Sequence, residues 1–315
     1  MPMLSSAINP QPHPQKMPAT AAMPKSILVP IAGISEDKAH LQAALAIARR
    51  FLAHLDVVHI RPDAAQIVAA ASAATYGSAE LVPLLLDQLE KDAETSMAAA
   101  QATFTTFVRE QSLELRESPG SVDTVTAAWL QQPGYPAERV AQLGRQRDLL
   151  VVGHASGWSS GDTGTLETAL MKSGRPLLVL PPGVSDVIGH TIVVAWKDSA
   201  EAARAVTAAM PFLAGAERIV VIEISEEDAD KVRESEGSSE RLVASLAWHR
   251  IRAEAWVIKQ GDLSAPDTLL AAARDLGADL VVMGAYGHSR VREMMFGGFT
   301  RRILRGADLP VLMFH

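Results

Sequence analysis

Short, wholly apolar runs alternate with longer Ala-rich segments along most of this chain. Ser26–Ile31 (SILVPI) reads as a buried strand, and a polar turn separates it from AHLQAALAIARRFLA, from Ala39, whose apolar positions recur with helical period. A second strand pattern, DVVHI, follows. The same order returns from Thr191: the strand TIVVAW, the helical segment EAARAVTAAMPFLA from Glu201, and the strand RIVVIEI. Both helical segments close on Phe-Leu-Ala, at Phe51–Ala53 and Phe212–Ala214. Further on, DLLVVG (Asp148–Gly153) matches DLVVMG (Asp279–Gly284), and each copy ends in a Pro-led strand, Pro176–Leu180 and Pro310–Phe314. Strands that are apolar throughout belong to parallel sheets covered by helices on both faces. The predicted fold is therefore α/β, a doubly wound Rossmann-like domain used twice.

The repeat divides the chain. Residues 1–24 contain six prolines and Lys16 as their only Lys, Arg, Asp or Glu, a composition that cannot bury enough apolar surface to offset its ordering entropy. This leader is expected to be disordered, and Met23 stands immediately before the first strand as an alternative start. A first domain is expected over 25–183 and a second over 188–315, joined by the breaker-rich Pro181-Pro182-Gly183 link. The first copy is about 34 residues longer between its first strand and its DL strand, an insertion expected at about 61–126 with a long helix around Leu84–Glu110.

Composition narrows the chemistry. With no cysteine, disulfides, thiol catalysis, Cys-ligated zinc and iron–sulfur clusters are excluded, which suits a reducing compartment. Aromatic residues are only 5% and the net charge is −7, so neither a stacking platform nor a polyanion-binding surface is expected, and nucleic acid is not an expected partner. No uninterrupted apolar stretch is long enough for a membrane span, and the location expected is the cytoplasm. A phosphate-bearing small molecule remains compatible, because backbone amides hold phosphate without net positive charge.

The segment with candidate chemistry is MGAYGHSRVREMMFGGFTRRIL, from Met283. Gly284 and Gly287 are separated by two residues, nine more precede Gly297-Gly298, and a helix is expected from Phe299. A glycine-rich loop between a parallel strand and a helix lets a ligand approach the backbone, with helix-start N–H groups facing its phosphates. The same glycines also serve as plain tight turns, and spacing alone leaves both readings open.

The repeat order, the GAYGHSR…GGFTRRIL segment and the terminal strand PVLMF resemble the universal stress protein family in its tandem two-domain form. The resemblance covers nearly everything from Lys25 onward and is clearest in the second copy. It implies a five-stranded parallel sheet per domain, an intrachain pseudo-dimer packed through the last strands, and in some members an ATP site of pattern G-x2-G-x9-G-[S/T]. Gly284, Gly287 and Gly297 match that pattern, Gly298 stands where a hydroxyl residue is usual, and Thr300 matches a common Thr. At the end of the first strand the family's acidic residue is replaced by Lys197, within Trp196-Lys197-Asp198-Ser199, and Lys cannot accept hydrogen bonds from ribose. Ile224 matches the apolar wall for adenine. The resemblance thus implies an adenine nucleotide, ATP with Mg²⁺, held by Trp196, Lys197, Ser199, Ile224, Met283, Gly284, Gly287, His288, Gly297, Gly298, Phe299 and Thr300. In the first copy Ala32 takes the acid position, Ser156 replaces the second glycine, and alignment on Pro176 sets Thr163 against Gly297 and Leu166 against Thr300. That copy is expected to be structural or regulatory.

Other chemistry finds less support. Gly157–Gly161 fits G-x-S-x-G, but its serine falls several residues after the strand rather than at the sharp turn a nucleophile elbow needs. The histidines show no ligand pair on a helix, and there is no GxxxxGK[ST]. No catalytic residues and no metal site are expected. The readings carried forward are a stress protein acting by binding a nucleotide, a ligand-free interaction module with unidentified protein partners, and, last, a weak ATPase. A monomer with paired halves and a homodimer are both compatible with the sequence.

Overall fold

The computed structural model describes residues 23–63, 82–120, 123–154, 164–225, 237–285 and 298–315. The first half runs β1 (Ser26–Ile31), α1 (Asp37–Phe51), β2 (His54–Arg61), α2 (Val82–Gln111), β3 (Glu114–Leu115), β4 (Thr126–Pro133), α3 (Pro136–Gly144), β5 (Leu149–Gly153), α4 (Gly164–Ser173) and β6 (Leu177–Leu180). The second runs β7 (Thr191–Ala195), α5 (Ala200–Leu213), β8 (Arg218–Ser225), α6 (Ser238–Trp248), β9 (Glu254–Lys259), α7 (Ala265–Asp275), β10 (Leu280–Gly284), α8 (Gly298–Gly306) and β11 (Val311–Phe314).

The strands of the described residues join one 11-stranded sheet of order β3-β4-β2-β1-β5-β6-β11-β10-β7-β8-β9. Within each half every pairing is parallel, and the halves meet through the antiparallel pair β6–β11. The doubly wound α/β fold expected from the repeat is present in both halves. One difference concerns β3, which adds a sixth, two-residue strand to the first half: Ser112 turns the chain at the end of α2 with φ 51°, and Arg116 then donates its N–H to Ala127 O. The long helix of the insertion is α2, of 30 residues. Among the described residues no helix is long and apolar enough to cross a membrane.

The strands are apolar throughout because both sheet faces are covered. Ile27, Val29 and Ile31 of β1 belong to one core cluster with α1, α2 and α5, while Leu28 belongs to a second cluster with α4 and α8. At the start of each half, a carboxylate gathers orphan donors. Asp148 accepts from Lys25 N, Ser26 N and Ser26 Oγ at 2.9–3.0 Å, and Asp279 accepts from Gly189 N, His190 N and Thr191 N at 2.7–3.3 Å. The Asp of each DL pair thus clamps the chain entering the first strand of its half.

The β6–β11 register places Leu178 opposite Leu312, with Val179 opposite Val311 and Leu177 opposite Met313. Aligning Pro176 with Pro310 makes Leu178 and Leu312 equivalent residues, so a pseudo-twofold axis passes through that pair. On the α1/α5 face, Phe51 and Phe212, the equivalent Phe of the two Phe-Leu-Ala turns, meet edge to face at 5.1 Å and 84°. Arg50 breaks the symmetry, donating to Phe212 O (2.8 Å), Gly189 O (3.2 Å) and Ile188 O (3.3 Å) while lying over both rings. Phe212→Ala is expected to cost about 3–5 kcal/mol, the usual range for emptying a buried aromatic site. Phe51→Ala together with Phe212→Ala is expected to cost less than the separate losses combined, because the rings contact each other; urea unfolding midpoints measure both.

Candidate functional site

In each half the strand order reverses beside the first strand, between β1 and β5 and between β7 and β10. Ligands of open α/β sheets bind outside the carboxyl ends of the strands at such a point. The halves treat this crevice differently.

In the first half it is filled. The loop after β1 folds back on Asp37, whose carboxylate accepts from Ala32 N (3.3 Å), Gly33 N (2.6 Å) and Ile34 N (3.0 Å). Gly33 has φ 83°, and a Cβ there would overlap the backbone of Ser96 on α2, whose hydroxyl donates to Ala32 O. The inserted helix therefore lies directly over the loop. At the end of β5, Gly153 exists to admit the His40 ring, which a Cβ would overlap. His40 and His59 are each 1% exposed. His59 Nδ1 donates to Ile31 O at 3.1 Å, and the Nε2 atoms of His40, His59 and His154 have no hydrogen-bond partner among the described residues. Burial holds the His40 pKa at about 4 and lowers His59 and His154 in the same direction. The three do not converge: no group of three or more His, Asp or Glu among the described residues is placed to hold a metal.

In the second half, Trp196 continues β7, giving its backbone N–H to Ile222 O. Its indole turns to the α5/α6 face, where Nε1 donates to Ser238 Oγ at 2.6 Å. Lys197 and Asp198 are exposed, with Asp198 3.9 Å from Arg241. Ser199 caps α5, accepting from Ala202 N at 3.3 Å. Gly284 closes β10 against the first turn of α5, where a Cβ would overlap the backbone of Glu201 and Ala202. Ile224, Met283 and Phe299 pack with Ala195 in the cluster on the opposite face from Trp196. Gly298 begins α8 with open space where a Cβ would stand, and Thr300 is buried at 4%.

Ile224, Met283 and Phe299 thus share one face of the second half's sheet, whereas Gly284 abuts α5 and Trp196 packs on the opposite face. Gly287, His288 and Gly297 lie outside the described residues, as do Ser156, Thr163 and the G-x-S-x-G segment. Sequence reasoning missed the Trp196–Ser238 bond and a groove of about 750 Å³ lined by α5, α6 and, from the first half, Asp148 and Arg175. Trp196, Asp198 and Arg241 line one end of that groove, and Met210, Leu242 and Leu246 line its apolar body. Ser238 is 42 residues from Trp196, and no local motif announces the contact.

A sequence model described as the Universal stress protein family matches residues 189–315. A curated universal stress protein of Synechocystis sp. is 46% identical over 41 residues, 13% of this chain and 14% of that relative, so the match spans a small part of its length. The solved universal stress protein of Archaeoglobus fulgidus DSM 4304 superposes with a TM-score of 0.62 at 15% identity, covering 93% of this chain and 99% of its own. A Pseudomonas aeruginosa UCBPP-PA14 structure of the same description gives 0.55 at 16% identity, with coverages of 92% and 93%. At these identities the likeness is one of fold.

The buried histidines carry a pH dependence with a definite sign. Folded His40 stays neutral down to about pH 4, whereas the unfolded chain takes up its proton near 6.5. Its contribution to stability is complete above 6.5 and drains as pH falls toward 4, at about 1.4 kcal/mol per pH unit for one such group. Asp37 runs oppositely, since burial raises its carboxyl and its contribution is complete only at low pH. Unfolding midpoints are expected to fall from pH 7 to pH 4.5, and more shallowly in a His40→Leu variant.

Proposed function

We propose that the second half, whose residues 189–315 match the universal stress protein family, binds an adenine nucleotide in the β7–β10 crevice. The observation that carries the proposal is positional. The segment Trp196–Ser199 after β7 and the Gly284 end of β10 flank the point where strand order reverses, and α8 starts at Gly298 beyond the loop that follows β10. Ile224, Met283 and Phe299 offer an apolar wall to a base. The N–H groups of Gly298, Phe299 and Thr300 start a helix, and exposed Lys197 supplies a cation for phosphates. Lys197 offers nothing to ribose hydroxyls, and Gly298 offers no hydroxyl to a phosphate, so binding is weak. Any Mg²⁺ arrives with the phosphates of ATP, Asp198 being the one carboxylate in the segment after β7.

The filled crevice of the first half assigns that half a structural role. A second reading, an interaction module without nucleotide, is favoured by the α5/α6 groove, which offers an apolar surface on the opposite face from the crevice.

Isothermal titration with ATP and Mg²⁺ separates the two. Gly298→Ser has room for its side chain and adds the missing hydroxyl, so it is expected to tighten binding about tenfold, the equivalent of one hydrogen bond to a charged group. Absence of heat at millimolar ligand for both the natural chain and Gly298→Ser overturns nucleotide binding and leaves the interaction reading.

A further inference from the structure

The axis through Leu178 and Leu312 has a third self-equivalent contact, on the face opposite Phe51 and Phe212. The alignment that sets Pro176 against Pro310 sets Glu167 of α4 against Arg301 of α8. These two residues meet across the junction of the halves, Arg301 Nε lying 3.5 Å from Glu167 Oε1. Glu167 is only 7% exposed, and its side chain lies on helix α4 beside Leu166, Ala169 and Leu170 of the apolar cluster. An acid this buried requires a cation close by, and the residue supplying it occupies the acid's own position in the other copy.

The three axis contacts differ in kind. Leu178 faces a Leu and Phe51 faces a Phe. The Leu–Leu and Phe–Phe contacts themselves are the same if two first halves, or two second halves, pair through their last strands, although the Arg50 bonds beside the rings have no counterpart at Pro211. Glu167 faces an Arg. Pairing two first halves would bring two largely buried Glu167 side chains together, and pairing two second halves would bring two partly exposed Arg301 side chains together. Like charges in contact at an interface strongly disfavour association, and building such a clash against the wrong partner is a general route to specificity.

We infer that Glu167 and Arg301 select the partner at the β6/β11 edge: a first half accepts a second half and rejects a copy of itself. The selection acts between halves rather than between chains. The halves of one chain satisfy it with their native link, which keeps the edge closed within the chain. Two chains satisfy it only by exchanging halves.

The test uses full-length chains. Glu167→Arg gives a chain with two cations at the axis, and Arg301→Glu gives a chain with two anions. Refolded alone, each is expected to lose stability, read as a lower denaturation midpoint, and the double variant E167R/R301E is expected to regain most of the loss with the mass of the natural chain. The decisive arm refolds equimolar E167R and R301E chains together. Exchange of halves then restores unlike charges at both junctions, so light scattering is expected to show a species of twice the single-chain mass, at least tenfold more abundant than in either variant refolded alone. Should the single variants fail to fold alone, soluble exchanged dimer from the mixture supports the inference equally. An ion pair too weak to bias the choice of partner predicts no exchange in the mixture. Mass distributions that are unchanged by mixing therefore overturn the inference, as does a double variant no more stable than its parents.

Discussion

Everything in this molecule hangs on the antiparallel pairing of β6 with β11. A doubly wound domain ends on a last strand whose outer edge carries unpaired N–H and C=O groups, and such an edge recruits whatever strand fits it. Here the two halves close each other's edge, and the sheet runs unbroken through eleven strands. Because the junction is antiparallel, the carboxyl ends of the two sets of parallel strands point in opposite directions. The two crevices are thus held on opposite edges of one sheet, and each is free to change without disturbing the other.

The first half shows what that freedom allows. Its crevice is occupied from three directions: the Asp37 carboxylate from below the loop, the His40 ring against Gly153, and α2 from above at Ser96. The donors that would meet an anionic ligand, the N–H groups of Ala32, Gly33 and Ile34, are instead satisfied by the protein's own carboxylate. At the start of α5, the position aligned with His40 is Glu201, which turns toward Arg204, 3.3 Å away. The residues that follow on the sheet side of that helix, Ala202 and Ala205, are small. One crevice has become core, while the other keeps small residues and an exposed cation at its rim.

Much of the fold was legible because its signals are local and repeated. Uniformly apolar strands, helices closing on Phe-Leu-Ala and the paired DL strands each reflect burial on both faces of a parallel sheet, and burial leaves a pattern in neighbouring residues. The long helix of the insertion was legible for the same reason. What escaped was set by contacts between distant residues. Nothing near Trp196 announces Ser238, and nothing near Gly33 announces Ser96. The two-residue strand β3 is too short for any periodicity. The glycines of the candidate site were visible as spacing, yet spacing could not tell that Gly284 is required by the close backbone of α5 while Gly298 is not crowded at all.

The Glu167–Arg301 pair was invisible for a deeper reason. Each residue alone reads as an ordinary polar position on an amphipathic helix, and their meeting depends on the register between halves, not on either half. Identical apolar residues on a twofold axis supply attraction without discrimination, since Leu on Leu and Phe on Phe are the same contact in like and unlike pairings. A duplicated domain that kept only such contacts would pair as readily between chains as within one. Discrimination needs a position where the copies differ in a way that matters only when they meet. A charge of opposite sign at equivalent sites does this with one contact, because the alternative pairings are opposed by like-charge repulsion. The asymmetry at the axis is therefore as much a part of the architecture as the symmetry that surrounds it.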